Sequence, residues 1–257
     1  MKNMKEKLNA GEAVNGCWLN SGSAINAEIV GKAGFDWVTL DLEHGTGTEN
    51  NLIYQLLALV GSQTVKIVRV EALVRQRVSR ALELGADGIL FPQIQDAHEA
   101  EQAISYIRYA PDGVRGMASM VRATDFGQSF EVYYRDYKDN VLGIIQIETL
   151  ESLNHLDEIA GIDGVDVLFV GPSDMSLALG VFQQWEHPRY METLKRVRDA
   201  ARKAGKATGV LMRSTDEYEK YYDLGFRMLG CGADTVFVQQ GALGMVAQMN
   251  ERRRKVR

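Results

Sequence analysis

Eight short runs rich in apolar and β-branched residues, most of them followed by a longer stretch of helical periodicity, set the strongest limit on how this chain can fold. The runs are Ala13 to Leu19, Trp37 to Leu42, Val65 to Val70, Gly88 to Pro92, Val141 to Glu148, Val167 to Val170, Ala207 to Met212 and Phe226 to Gly230. Amphipathic stretches lie between them at 23–33, 49–59, 74–84, 97–107, 152–159, 190–204 and 216–224, with a final one from about Asp234. Such alternation is the mark of parallel βα units, since parallel strands need a crossover and a helix supplies it. Several of the helical stretches end in a glycine suited to a left-handed cap: Gly34, Gly85, Gly205 and Gly225. Eight strands with eight crossovers in 257 residues predict a (β/α)₈ barrel, a single domain over residues 1–257. An open dinucleotide-binding sheet is disfavoured, because no GxGxxG follows the first strand.

Two stretches break the rhythm. Residues 108–140 are too long for a simple connection and are expected to form a lid or an interface element, and residues 180–188 interrupt the sixth crossover. Twenty-nine basic against 34 acidic side chains give a net charge of −5, which offers no positive field for a nucleic acid. No apolar run is long enough to span a bilayer and the first residues lack the apolar core of a signal peptide, so the chain reads as cytoplasmic. Cys17 and Cys231 lack metal-type spacing and read as buried, reduced thiols. The basic end, Arg252, Arg253, Arg254, Lys255 and Arg257, reads as a solvated, dipole-matched helix terminus.

In barrel enzymes the chemistry sits at the C-terminal ends of the strands. There the second run ends in Asp41-Leu42-Glu43-His44, the third near Arg69 and the fifth in Gln146-Ile147-Glu148, while Gly171-Pro172-Ser173-Asp174 follows the sixth. Glu148 and Asp174 come from adjacent strands and can meet over the rim as the carboxylate pair of a hard divalent ion, Mg²⁺ or Mn²⁺. The structural alternative is that Glu148 pairs with an arginine and Asp174 caps the next helix. Gln146 shares a strand face with Glu148 and can hydrogen-bond what the metal holds. The backbone N–H groups at Ser173 and Asp174 can receive a substrate carboxylate. His44 is the one histidine at a strand end and a candidate general base, with Asp41 as the carboxylate that orients its ring. His98, His155 and His187 read as surface residues. Arg69 is expensive to bury without an anion; a carboxylate or an enolate oxygen suits it, and an ion pair with Glu43 or Glu148 is the alternative. Imine chemistry is disfavoured, since Lys66 lies below the rim with parity opposite to that of Arg69.

Taken together, DLEHG at 41–45, IVRV at 67–70, YAPDGVRGMASMVRA at 109–123, QIET at 146–149 and GPSD at 171–174 resemble the HpcH/HpaI aldolases, metal-dependent class II pyruvate aldolases. The resemblance runs from about residue 14 past 230. It implies Glu148 and Asp174 as ligands of Mg²⁺ or Mn²⁺, with Co²⁺ a further candidate, and His44 as the base. It also implies Arg69 as the enolate stabiliser, and Gln146 and Ser173 as contacts of the pyruvate unit. The acidic residue that tunes the histidine falls at Glu83, where it reaches a histidine only in a neighbouring subunit of a homo-oligomer, commonly a hexamer. The implied reaction is retro-aldol cleavage of a 2-keto-4-hydroxy acid to pyruvate and an aldehyde. Its rivals are a lyase or decarboxylase acting on an acyl-CoA or oxaloacetate-like substrate, and a non-catalytic ligand-binding barrel.

Overall fold

Residues 4–256 are described by a computed structural model. Its strands are β1 (Val14–Leu19), β2 (Trp37–Asp41), β3 (Val65–Arg69), β4 (Gly88–Phe91), β5 (Leu142–Ile147), β6 (Val167–Val170), β7 (Ala207–Met212) and β8 (Met228–Ala233). They pair in parallel in sequence order, and β8 returns to β1 to close a barrel, as the alternation predicts. The first seven match the sequence reading to within a residue. The eighth starts later, because the Phe226 N–H is already taken by the Tyr221 carbonyl at 3.0 Å, and it runs on through Ala233 with a bulge against β1.

Side chains alternate between two cores. Trp18, Trp37, Ile67, Leu90, Ile144, Val167, Phe169 and Met228 fill the barrel, with the Trp18 ring 5.5 Å from both Trp37 and Phe169. Small residues opposite these rings make the room. A Cβ on Gly16 would stand 2.1 Å from the Trp37 ring, and one on Gly209 2.4 Å from Phe169. The outward-facing residues form the larger core beneath the helices. An unanticipated helix, Met4–Asn9, plugs the N-terminal mouth with Met4 and Leu8, pinned by Lys5 to Asp166 at 3.0 Å and Lys7 to Asp36 at 2.7 Å. Gly34, Gly85, Gly205 and Gly225 all have positive φ after helix ends, as expected of left-handed caps. The helix expected at 152–159 is two, Leu150–Asn154 and Leu156–Gly161, broken at His155.

Residues 108–140 form a 3₁₀ segment, Arg122–Gly127, and a helix, Phe130–Asn140, at the N-terminal end of the barrel. There Arg122 donates to the carbonyls of Leu84 and, at 3.3 Å, Leu56, the C-terminal ends of two barrel helices. A lid over the chain's own strand-end loops is therefore excluded, since the segment lies at the opposite mouth. The last helix, Asp234–Lys255, also departs from expectation. Every residue from Thr235 to Met249 is exposed, including Val236, Phe237, Leu243, Val246 and Met249, so the eighth helix does not lie against its own barrel. Arg252 to Lys255 form its exposed last turn, and Arg257 lies outside the described residues. No described helix is long and apolar enough to cross a membrane.

Candidate active site

The polar residues read from the strand ends gather at the C-terminal mouth. Glu148 follows β5 directly and is only 2% exposed. Its Oε1 accepts from the Gln93 N–H at 2.8 Å and Gln93 Nε2 at 3.0 Å, and Gln146 Nε2 donates to its Oε2. Burial pushes this carboxyl up to about 7. The Gln93 backbone donor opposes the rise, and the charges of Asp174 and Glu43 add to it. The alternative in which Glu148 pairs with an arginine is not realised: among the described residues its hydrogen bonds come from amides.

Arg69, the last residue of β3, is almost buried. Its Nε and Nη2 donate to Asp41 at 2.9 and 2.7 Å, a two-pronged pair fixed by the register that sets Asp41 opposite Arg69. Its Nη1 lies 3.0 Å from Glu43 Oε2, an ion pair without hydrogen-bond geometry. Burial pulls the guanidinium down, but Asp41, Glu43 and Glu148 outweigh it and the net shift is upward. The structural alternative for Arg69 is thus realised with Glu43 and, unforeseen, with Asp41.

Asp41 does not orient the His44 ring. Both its oxygens are held by Arg69, and Oδ1 also accepts the N–H groups of Glu43 at 3.1 Å and His44 at 3.3 Å. It fixes the backbone that carries His44. The ring itself is 66% exposed, with Nε2 3.7 Å from Glu43 Oε2.

Asp174 occupies the first turn of the helix Pro172–Ala178, whose N-cap is Gly171. It does not cap that helix, and its charge acts on Glu148 and Glu43. The first helical bond runs from the Met175 N–H to the Gly171 carbonyl, so the N–H groups of Ser173 and Asp174 stay outside the ladder. Three carboxylates, Asp41, Glu43 and Glu148, therefore bear on one guanidinium, and a fourth, Asp174, bears on Glu43 and Glu148. Two buried oxygens of the cluster, the Glu43 carboxylate Oε2 and the Gln146 amide Oε1, have no hydrogen-bond partner among the described residues. Surplus negative charge with unused oxygen lone pairs is what a hydrated divalent ion completes. No group of three or more His, Cys, Asp or Glu occurs among the described residues in a metal-holding arrangement.

Gln93 was missed by the sequence reading. It closes the fourth run as Phe91-Pro92-Gln93, at the same rim position as the other site residues, and its φ of 55° is a backbone strain of about 1–3 kcal/mol that the two bonds to Glu148 offset. Glu83, by contrast, is not part of this cluster. It ends the helix Arg75–Glu83 at the opposite mouth, beside Tyr109. Lys66 pairs there with Asp87 at 2.7 Å, far from the rim, as the parity argument requires. His155 pairs with exposed Glu158, and His187 caps the helix Pro188–Lys203. Cys17 and Cys231 are free thiols, and burial pushes Cys17 up to about 12.

Curated relatives share this chain along most of its length. "5-Keto-4-deoxy-D-glucarate aldolase" of Klebsiella pneumoniae is 34% identical over 230 residues, 90% of each chain, and its counterpart in Escherichia coli O157:H7 is 35% identical over the same span. Among solved structures, an HpcH/HpaI aldolase/citrate lyase family protein from Burkholderia cenocepacia superposes with a TM-score of 0.90 at 32% identity, covering 96% of this chain and 98% of its own. The HpcH/HpaI aldolase of Desulfitobacterium hafniense gives 0.89 at 27% identity, covering 98% of both. The profile of HpcH/HpaI aldolase/citrate lyase matches residues 15–240, and the chain belongs to that family.

Proposed function

We propose that the protein is a metal-dependent carbon–carbon lyase that cleaves a 2-keto-4-hydroxy acid to pyruvate and an aldehyde, and runs in reverse as an aldol addition. The observation that carries this reading is the excess of carboxylates around Glu148 and Asp174 beside a fixed guanidinium and an exposed imidazole, at the mouth where barrel enzymes react. Its relatives' names point to hydroxylated sugar acids as the substrate class.

Glu148 and Asp174 would hold Mg²⁺, Mn²⁺ or Co²⁺, which when bound supplies Lewis-acid chemistry at the keto acid oxygens. Gln146 and the free N–H groups at Ser173 and Asp174 bind and orient the pyruvate unit. Arg69, clamped by Asp41, presents Nη1 to the oxygen on which enolate charge develops, so its cation needs no reorganisation during the reaction. His44 takes the proton of the C4 hydroxyl as the C3–C4 bond breaks, the bonding electrons pass into the enolate, and the aldehyde departs. Protonation of C3 then completes pyruvate.

The protein acts as a cytoplasmic homo-oligomer, in keeping with the hexamers that the family resemblance implies. The uncovered last helix supports association, and Glu83 at the far mouth serves a histidine only from a neighbouring subunit. The test is pyruvate release by purified protein loaded with Mg²⁺ or Mn²⁺ from a panel of 2-keto-4-hydroxy acids that includes 5-keto-4-deoxy-D-glucarate. Release that stops with a chelator is expected. No release from any member, or activity untouched by the chelator, overturns the reading.

A further inference from the structure

A buried carboxylate is stable only where donors fill its oxygens, so the direction from which the donors come shows what it holds in place. Asp234, at the junction of β8 and the last helix, is 2% exposed. Its Oδ1 accepts the N–H groups of Asn20 at 3.0 Å, Ser21 at 3.2 Å and Thr235 at 2.9 Å. Its Oδ2 accepts from the Ser21 hydroxyl and from Asn26 Nδ2 at 3.2 Å. All but Thr235 come from the loop that follows β1 and the helix after it. A helix cap needs one or two such bonds. Here the larger share goes to a different loop, on a segment more than 200 residues away in sequence.

That loop in turn grips the one that carries His44. The Asn20 carbonyl accepts the Thr46 N–H at 2.8 Å, and the Ser21 carbonyl accepts the Thr46 hydroxyl at 2.9 Å. The two backbones also interlock. A Cβ on Gly22 would stand 2.6 Å from the Gly47 Cα, and one on Gly47 would stand 2.9 Å from the Gly22 Cα. His44 is consequently held from both sides, by the Asp41 carboxylate on its own N–H and by the Asn20–Ser21 turn two residues on. Its 66% exposed ring makes no hydrogen bond among the described residues, only a 3.7 Å approach to Glu43 Oε2, so the backbone is the main determinant of where the imidazole stands.

We infer that Asp234 is a positioning residue for His44: by fixing Asn20 and Ser21 it sets the Thr46 turn, and through that turn the location of the base. This rests on the reading of His44 as the base. Asp234 touches none of the groups assigned to the pyruvate unit, so its loss should act on the cleavage step and spare keto acid binding.

The experiment uses the full-length, Mn²⁺-loaded protein, with cleavage of the best-turned-over panel acid and calorimetric binding of pyruvate as readouts. Asp234→Asn should lower kcat about 10²-fold, the cost of a misplacement near 1 Å, with KM and pyruvate affinity unchanged. Thr46→Val, which leaves the Asp234 bonds intact and removes one link between the loops, should lower kcat about fivefold in the same manner. In a His44→Ala background Asp234→Asn should cost nothing further, since its effect passes through the missing ring. Equal losses with and without His44, a rise in KM alongside the fall in kcat, or a normal kcat in either variant overturns the inference. Should Asp234→Asn not fold, Thr46→Val alone and in the His44→Ala background decides it by the same criteria. A His44→Ala protein that cleaves normally overturns the base assignment itself, and the inference with it.

Discussion

Gly171 carries a steric constraint that a single methyl group exposes. Its φ of −84° and ψ of 97° suit any L-residue, so Gly171→Ala costs nothing in backbone conformation. Its Cβ, however, would stand 2.2 Å from Glu148 Oε2, 2.7 Å from Gln146 Nε2 and 3.0 Å from Glu148 Cβ, where ordinary contact begins at 3.4 Å. The Glu148 oxygen has to give way by the 1.2 Å between 2.2 and 3.4 Å. It has nowhere easy to go, because Gln93 holds the other oxygen by two bonds and Gln146 is crowded by the same methyl. Overpacking of this kind costs about 1–3 kcal/mol of stability. A carboxylate ligand moved that far should lower metal affinity by about 10–100-fold and kcat by about 10². Calorimetric titration of chelator-stripped protein with Mn²⁺, followed by initial rates of pyruvate release at saturating metal, measures both. A Gly171→Ala protein with the parent's Mn²⁺ affinity and kcat would refute the claim that the packing of this glycine sets the ligand's position.

Further outcomes follow from the same geometry. Glu148 has a carboxyl raised from an ordinary 4.5 to about 7, so the stability it contributes to the metal-free fold is full below 4.5 and is lost as pH rises through about 7. Metal-free Glu148→Gln should accordingly gain on the parent by up to about 3 kcal/mol between those pH values and no more above them, read from urea midpoints; a gap independent of pH contradicts it. Arg69→Ala leaves Asp41 buried without its cation and should cost about 3–5 kcal/mol in thermal or urea unfolding, beyond its effect on rate, whereas a variant of normal stability would show the pair to be idle. His44→Ala should retain Mn²⁺ and pyruvate binding while cleavage falls about 10²–10⁴-fold, and near-normal cleavage removes His44 from the mechanism. Glu83→Ala should lower activity only where subunits associate, so a fully active monomer in sedimentation would end its assigned role.

Much of this architecture was legible because barrel strands and site residues obey a simple periodicity. The closing motifs of β2, β3, β5 and β6 stand at one rim in the structure as they do in the sequence, and the cap glycines sit where helix periodicity ends. What escaped was governed by partners distant in sequence. Asp41 lies three residues before His44, which made the ring its natural neighbour, yet β2–β3 register sets Arg69 opposite Asp41 and a guanidinium outcompetes an imidazole for both oxygens. Gln93 escaped because an uncharged residue after a proline reads as a turn, although the rim position alone marks it. The 108–140 segment is long enough to be a lid, but length does not say which mouth it covers; that depends on the preceding helix, Ala97–Ile107, having already carried the chain to the N-terminal end.

The 22-residue last helix, with its apolar residues turned to water, changes what stability means for this chain. A barrel that covers all its own helices melts at a temperature that belongs to the single molecule. In the homo-oligomer proposed above, a final helix that finds cover on another copy would obey mass action instead, and the midpoint would climb with protein concentration. Dilution would then act as a mild denaturant, and the amount of protein a cell makes would become part of what keeps each copy folded.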